Sequence, residues 1–115
     1  SRIGTRGGYK LTLPETAIGM ELPHVLVALT ASRIPPQYMT RVAIQSEVFD
    51  PDQSIGIGFL DEVVEASELD ARVFAVAEHL AQLPHSAYAA NKLFARKDAL
   101  ATMNAELEKM IAQAR

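Results

Sequence analysis

Residues 9–20 read YKLTLPETAIGM, and this stretch decides how the rest of the sequence is interpreted. Its first five residues alternate between apolar and polar side chains, a pattern that predicts a short strand buried on one face. Pro14 ends that strand, and the acidic Glu15 follows at once. Gly19 stands four positions further on. We therefore expect Glu15 to lie where a strand gives way to a turn.

A second informative segment is residues 47–64, EVFDPDQSIGIGFLDEVV. Asp50 followed by Pro51 is a strong helix start, because Asp accepts from free backbone N–H groups and Pro fits the first helical position. Gly58 ends the turn that follows. The β-branched pair after it predicts a short strand at residues 62–64.

Most of the remaining sequence is predicted to be helical. The apolar run from Val25 to Leu29 predicts one helix, and a second short one is expected after Pro35-Pro36. Ser67 with Asp70 resembles a capping box. It precedes an apolar stripe made of Leu69, Val73, Val76, Leu80 and Leu83. Two more helices follow, one from Tyr88 to Phe94 and one that we expect Asp98 to cap.

Composition narrows the class of protein. The chain has 115 residues, 49% of them hydrophobic, which suits one small globular unit. A net charge of −3 and the lack of a basic stripe predict no nucleic-acid partner. The longest apolar run, Val25 to Ala31, is far shorter than the roughly 20 residues of a membrane helix, so no membrane partner is expected. The absence of Cys agrees with a reducing compartment, and we expect a cytoplasmic protein.

The predicted strands are too few for a stable sheet. Short strands with exposed edges need neighbours, so we expect further strands upstream of a sequence that begins without Met. The last three helices form a helical region that could dock on a neighbouring subunit.

Residues 9–20 resemble a segment of the crotonase superfamily, the enoyl-CoA hydratases and isomerases. There, an acidic residue follows Pro or Asn, and a Gly stands after three further residues. Residues 47–51 and 54–64 resemble the family's helix that leads to a Gly-Leu-Val-Asp type strand. The two segments have the family's order and separation. The resemblance covers most of residues 3–64 and, more loosely, the C-terminal helices.

The resemblance implies an α/β fold, namely the later part of a crotonase-like ββα spiral followed by a C-terminal helical oligomerisation region. Residues 1–66 then correspond to the C-terminal part of the core, and residues 67–115 to the helical region. In the family that region builds a homotrimer or a dimer of trimers. The CoA-binding segment, the oxyanion-hole donors and one of the two hydratase carboxylates are expected upstream.

By match of motif, Glu15 occupies the family's downstream catalytic carboxylate position. The resemblance implies that it transfers a proton beside the thioester carbonyl of an acyl-CoA substrate, while backbone donors stabilise the enolate. From spacing alone, an exposed carboxylate at a strand end is the simpler interpretation. CoA belongs to the substrate, and neither a metal nor a further cofactor is implied.

Enoyl-CoA hydration, in fatty-acid or related acyl-CoA metabolism, is the favoured reaction. The sequence departs from the common hydratase pattern after Pro23, where the family is rich in Gly and this chain has His24-Val25-Leu26. A Δ3,Δ2-enoyl-CoA isomerase that uses a single carboxylate is therefore the first alternative. A family member that binds acyl-CoA without turning it over, and a structural piece that assembles with its missing half, are the others.

Side chains after Glu15 are expected to line the substrate pocket: Ile18, Met20, Leu22, His24 and Val25. Phe94 is a further candidate for the pocket wall, although core packing is the simpler role for Phe94, as it is for His24. A basic cluster on a late helix is expected to be solvated or to meet the CoA phosphates: Lys92, Arg96 and Lys97. His79 and His85 have no metal-ligand spacing and are expected at the surface.

Overall fold

Two short parallel strands and five α-helices organise the chain, and the computed structural model describes all 115 residues. Strand β1 is Ile3–Thr5 and strand β2 is Glu62–Val64, paired so that Gly4 lies opposite Val63. The helices are α1 (His24–Arg33), α2 (Gln53–Ile57), α3 (Leu69–Ala81), α4 (His85–Ala95) and α5 (Lys97–Gln113). Short turns of 3₁₀-helix cover Thr16–Ile18, Pro36–Tyr38 and Ala66–Glu68, and a π-helical turn covers Thr40–Ile44.

The strand prediction was right for β2 and wrong for residues 9–13. Leu11 forms a single antiparallel bridge with Phe49, and the regular strand lies upstream, at Ile3–Thr5. The reason is that β1 is stabilised by pairing with β2, some sixty residues later, and not by a local alternation of side chains.

Helix α2 begins and ends as the sequence predicts. The Gln53 N–H donates to Asp50 Oδ1 at 2.7 Å, and the Gln53 amide oxygen accepts from the Asp50 N–H at 3.0 Å. Gly58 then ends the helix at φ 103°, a left-handed conformation that favours Gly.

Two predicted helix caps are wrong. Ser67 lies inside the 3₁₀ turn that runs directly into α3, and no side chain caps that helix. Asp98 is the second residue of α5, because α5 starts immediately after Arg96 at the end of α4. A capping side chain needs an extended backbone before the helix, and neither site has one.

The core is small and lies around the π-helical turn. Its buried cluster consists of Ile34, Val42, Phe49 and Ile57. Leu13 and Phe59 pack against it, so the core sits directly beneath the segment that carries Glu15. Helix α5 packs along α1 and α3 packs on β1, whereas α4 contacts α5. Large apolar side chains on the outer faces stay exposed, among them Phe74, Leu93 and Phe94.

No helix combines the length and the hydropathy that crossing a membrane requires.

Val42 has no exposed surface, whereas Val48 is 52% exposed. We expect Val42→Ala to lower the free energy of unfolding by about 2 kcal/mol, because it removes buried methyl groups and leaves a cavity. The matched Val48→Ala substitution should change it by less than about 0.5 kcal/mol. Urea-induced unfolding of the complete gene product measures both. Equal losses would contradict the assignment of Val42 to the core.

Candidate functional site: an unpaired carboxylate beside an apolar groove

Glu15 stands at the start of the Thr16–Ile18 turn and not in regular secondary structure. Its carbonyl oxygen accepts from the N–H groups of Ile18 at 3.2 Å and Met20 at 2.8 Å, which closes the turn. Gly19 completes it at φ 75°, a left-handed conformation that a larger side chain adopts only with strain. The Pro-Glu-x-x-x-Gly pattern therefore encodes a tight turn that fixes the Glu15 backbone.

The Glu15 carboxylate is half-buried, and its Oε2 atom is shielded from water without a hydrogen-bond partner. No other buried side-chain nitrogen or oxygen in the chain lacks a partner. Buried polar atoms are nearly always paired, so this oxygen is available to a group that the chain itself does not supply. The simpler interpretation of Glu15 as an exposed carboxylate at a strand end does not describe this geometry.

Two contacts hold the Glu15 turn against the rest of the fold. The Ala17 N–H donates to Ser46 Oγ at 3.1 Å, and Thr12 Oγ1 donates to the Ser46 carbonyl at 3.3 Å. Next to them, the backbone groups of Leu11 and Phe49 exchange hydrogen bonds of 2.9 and 3.0 Å. No sequence motif marks Ser46 or Thr12, because both contacts join residues about thirty positions apart.

An apolar groove of about 560 Å³ opens beside the turn. Thr16, the neighbour of Glu15, lines it together with the predicted pocket residues Met20, Leu22 and His24. The groove is also lined by residues that no sequence motif predicts for it: Val27, Met39, Ala43 and Ile44. Ala43 and Ile44 belong to the π-helical turn, and a π-helical turn has no simple sequence signature.

The other predicted pocket residues lie apart from this groove. Val25 lines a second, more polar groove of about 350 Å³ between α1 and α5. Ile18 is 65% exposed and lines neither of the two grooves. Phe94 is 80% exposed on α4 and lines neither groove, so core packing was wrong for Phe94. The outer face of α4 has no covering partner within the chain.

His24 is exposed and not buried. It is the first residue of α1, its side chain is 79% exposed, and Nδ1 lies 3.5 Å from Glu106 Oε2 on α5. Core packing was therefore wrong for His24 as well. Lys109, hydrogen-bonded to Glu106 at 3.0 Å, lowers the pKa of the Glu106 carboxyl, and His24 adds a smaller effect. This cluster joins the two helices at the mouth of the polar groove.

The basic cluster of α4 and α5 is exposed. Lys92, Arg96 and Lys97 make no ion pair, and Arg96 lines a separate groove with Arg33 of α1. A role for these cations in binding CoA phosphates stays a prediction. His79 and His85 are exposed, as predicted. No group of three or more His, Asp or Glu side chains could hold a metal ion.

Comparison with known proteins identifies solved structures that share this fold. No family model and no curated protein matched the sequence, whereas solved structures did. An enoyl-CoA hydratase/isomerase family protein from Pseudomonas syringae is 36% identical over 93% of this chain and 46% of its own, with a TM-score of 0.88. An enoyl-CoA hydratase from Mycobacterium marinum is 26% identical over 97% of this chain and 50% of its own, with a TM-score of 0.89. An enoyl-CoA isomerase from Mycobacterium tuberculosis is 26% identical over 95% and 48%, with a TM-score of 0.87.

These matches confirm the resemblance to the crotonase superfamily, and the chain has the fold of part of a superfamily protein. It spans about half the length of the solved structures it matches, in agreement with the predicted C-terminal half.

Arg41 and Glu47 flank Ser46 with a two-pronged ion pair of 2.7 and 2.8 Å. The Arg41 hydrogen bond lowers the pKa of the Glu47 carboxyl, so the pair stabilises the fold fully above the ordinary pKa of about 4.3. That contribution is lost as the pH falls through the lower pKa of the folded state. We expect wild type to melt at a higher temperature than Glu47→Gln above about pH 5, and the difference to shrink as the pH falls below about 4.3 and through the lower pKa of the folded state.

Thermal melts of the complete gene product across this pH range test the expectation. Glu108→Gln is the control, because Glu108 makes no ion pair. A difference between wild type and Glu47→Gln that does not change with pH would contradict it.

Proposed function

We propose that this chain carries the proton-transferring carboxylate of an acyl-CoA enzyme of the enoyl-CoA hydratase/isomerase class, and that Glu15 is that carboxylate. One observation carries the proposal: Glu15 Oε2 is buried and unpaired. Glu15 itself does not line the apolar groove, but the next residue, Thr16, does. An unpaired carboxylate oxygen one residue from a groove suits a group that pairs only when a substrate is bound. The matched solved structures, named as enoyl-CoA hydratases and isomerases, support this substrate class.

In the proposed reaction Glu15 moves a proton at a carbon near the thioester carbonyl. Adding water across an α,β-double bond requires proton transfer to and from a carboxylate within hydrogen-bond reach. Negative charge that develops on the thioester oxygen needs backbone donors aimed at it, which we place outside this chain. The carboxylate performs the proton transfer, so we propose no cofactor beyond the CoA of the substrate.

Hydration is the reaction that we propose first, and isomerisation is the second candidate. A single carboxylate suffices to move a double bond, and Glu15 is the one carboxylate with a buried unpaired oxygen. Ultraviolet absorbance of the conjugated enoyl thioester separates the two reactions in the complete gene product. Its loss from a 2-enoyl-CoA reports hydration, and its appearance from a 3-enoyl-CoA reports isomerisation. Tight binding without either change indicates an acyl-CoA-binding protein, and no binding would contradict the substrate class.

Glu15→Gln keeps the shape of the side chain and removes its basicity. We expect kcat to fall by about 10² to 10⁴-fold, the usual contribution of one general acid–base group. Circular dichroism should show an unchanged fold. Glu78→Gln, at an exposed position on α3, is the control and should keep wild-type activity. An active Glu15→Gln enzyme would remove Glu15 from the mechanism.

We also propose that the protein assembles as a homotrimer or a dimer of trimers through its helical region. Phe74, Leu93 and Phe94 are 63 to 80% exposed, and apolar faces of this kind favour burial in an interface. Light scattering should give a trimer or hexamer mass for wild type and a lower mass for Phe94→Glu. Ser86→Glu, an exposed position on the same helix, should leave the mass unchanged. A monomeric wild type would refute the proposed assembly.

A further inference from the structure

We propose that Ser46 is the positioning residue for Glu15. Its carbonyl oxygen and its hydroxyl hold the chain on both sides of Glu15, and so fix the position from which the carboxylate meets a substrate. The inference deepens the proposed function and rests on it, because it assumes that Glu15 transfers the proton.

The first observation concerns the cap of the Glu15 turn. The first N–H groups of a helical turn have no partner within the turn and are paired with a capping side chain, another segment or water. Glu15 precedes the turn with φ −56° and ψ −49°, helical angles at which its own side chain does not cap the turn. The Ala17 N–H, two residues on, donates to Ser46 Oγ at 3.1 Å. Ser46 therefore caps the turn from 29 residues later in the chain, and the carboxylate has no backbone partner.

The second observation concerns the backbone of Ser46. It is the one residue other than Gly with a positive φ, 52°, and it is buried. Glycine fits this conformation with less strain, so the serine side chain must be explained by what it contacts. Its hydroxyl is placed to accept from Ala17, and strained residues concentrate at functional sites.

The third observation is that Ser46 forms hydrogen bonds with the chain on both sides of Glu15. Its carbonyl oxygen accepts from Thr12 Oγ1, three residues before Glu15, and its hydroxyl accepts from the Ala17 N–H, two residues after it. A shift of Ser46 thus moves Glu15 as well. Proton transfer depends steeply on the placement of the base, since about 1 Å of misplacement can cost about 10²-fold in rate.

Two substitutions at Ser46 separate positioning from stability. Ser46→Gly relieves the backbone and removes the hydroxyl, so the melting temperature should stay within a few degrees or rise while kcat falls by about tenfold or more. KM should change little, because the groove side chains remain. Ser46→Asn tolerates a positive φ and offers a side-chain oxygen to Ala17, so it should recover part of the lost kcat. A purely structural role predicts instead that activity follows stability.

Ser54→Ala is the matched control. Ser54 is the other buried serine, and its hydroxyl donates to the Asp50 carbonyl at 2.7 Å within the α2 region. Its loss should lower the melting temperature and leave kcat unchanged.

Parallel assays of Glu15→Gln distinguish a failure of the Ser46 role from a failure of the proposed function of Glu15. If Glu15→Gln is inactive and Ser46→Gly keeps wild-type kcat, the role of Ser46 is overturned and that of Glu15 stands. If Glu15→Gln is fully active, the proposed function fails, and the positioning role fails with it. Should wild type show no turnover, hydrogen exchange at the Ala17 amide tests whether Ser46 holds the Glu15 turn. Faster exchange in Ser46→Gly at equal stability supports that role of Ser46, and unchanged exchange overturns it.

Discussion

The antiparallel bridge between Leu11 and Phe49 is the contact on which the rest of the site depends. Its two backbone hydrogen bonds join the segment before Glu15 to the segment after Ser46. Phe49 also belongs to the buried cluster with Val42, so the bridge anchors a surface turn to the core. The Thr12 and Ala17 contacts with Ser46 join the same two segments next to this bridge.

Local sequence signals predicted the elements that local interactions stabilise. The hydrogen bond of Asp50 to the first residue of α2, the end of α2 at Gly58 and strand β2 are confirmed, because capping, a positive φ and β-branching act over a few residues. Strand β1 was misplaced because its partner is distant in sequence. The caps at Ser67 and Asp98 were wrong because the preceding helical segments leave no extended residue.

In the candidate site, too, local sequence signals predicted some residues, and contacts between distant residues determine the others. The motif around Glu15 located the carboxylate, and Met20, Leu22 and His24 line the groove beside it. The exposure of the Phe94 and His24 side chains could not be inferred, because it depends on which helix faces pack together. Ser46 carries no motif at all. Its importance comes from a left-handed backbone and a hydroxyl that reaches a turn 29 residues away.

The two least favourable local features of the chain lie where Ser46 contacts the Glu15 turn. Ser46 holds a conformation that costs about 1 to 3 kcal/mol for a residue with a side chain, and Glu15 Oε2 is buried without a partner. In the proposed mechanism the two features serve the same purpose, because Ser46 holds the chain on both sides of Glu15 and the carboxylate oxygen stays available to a substrate.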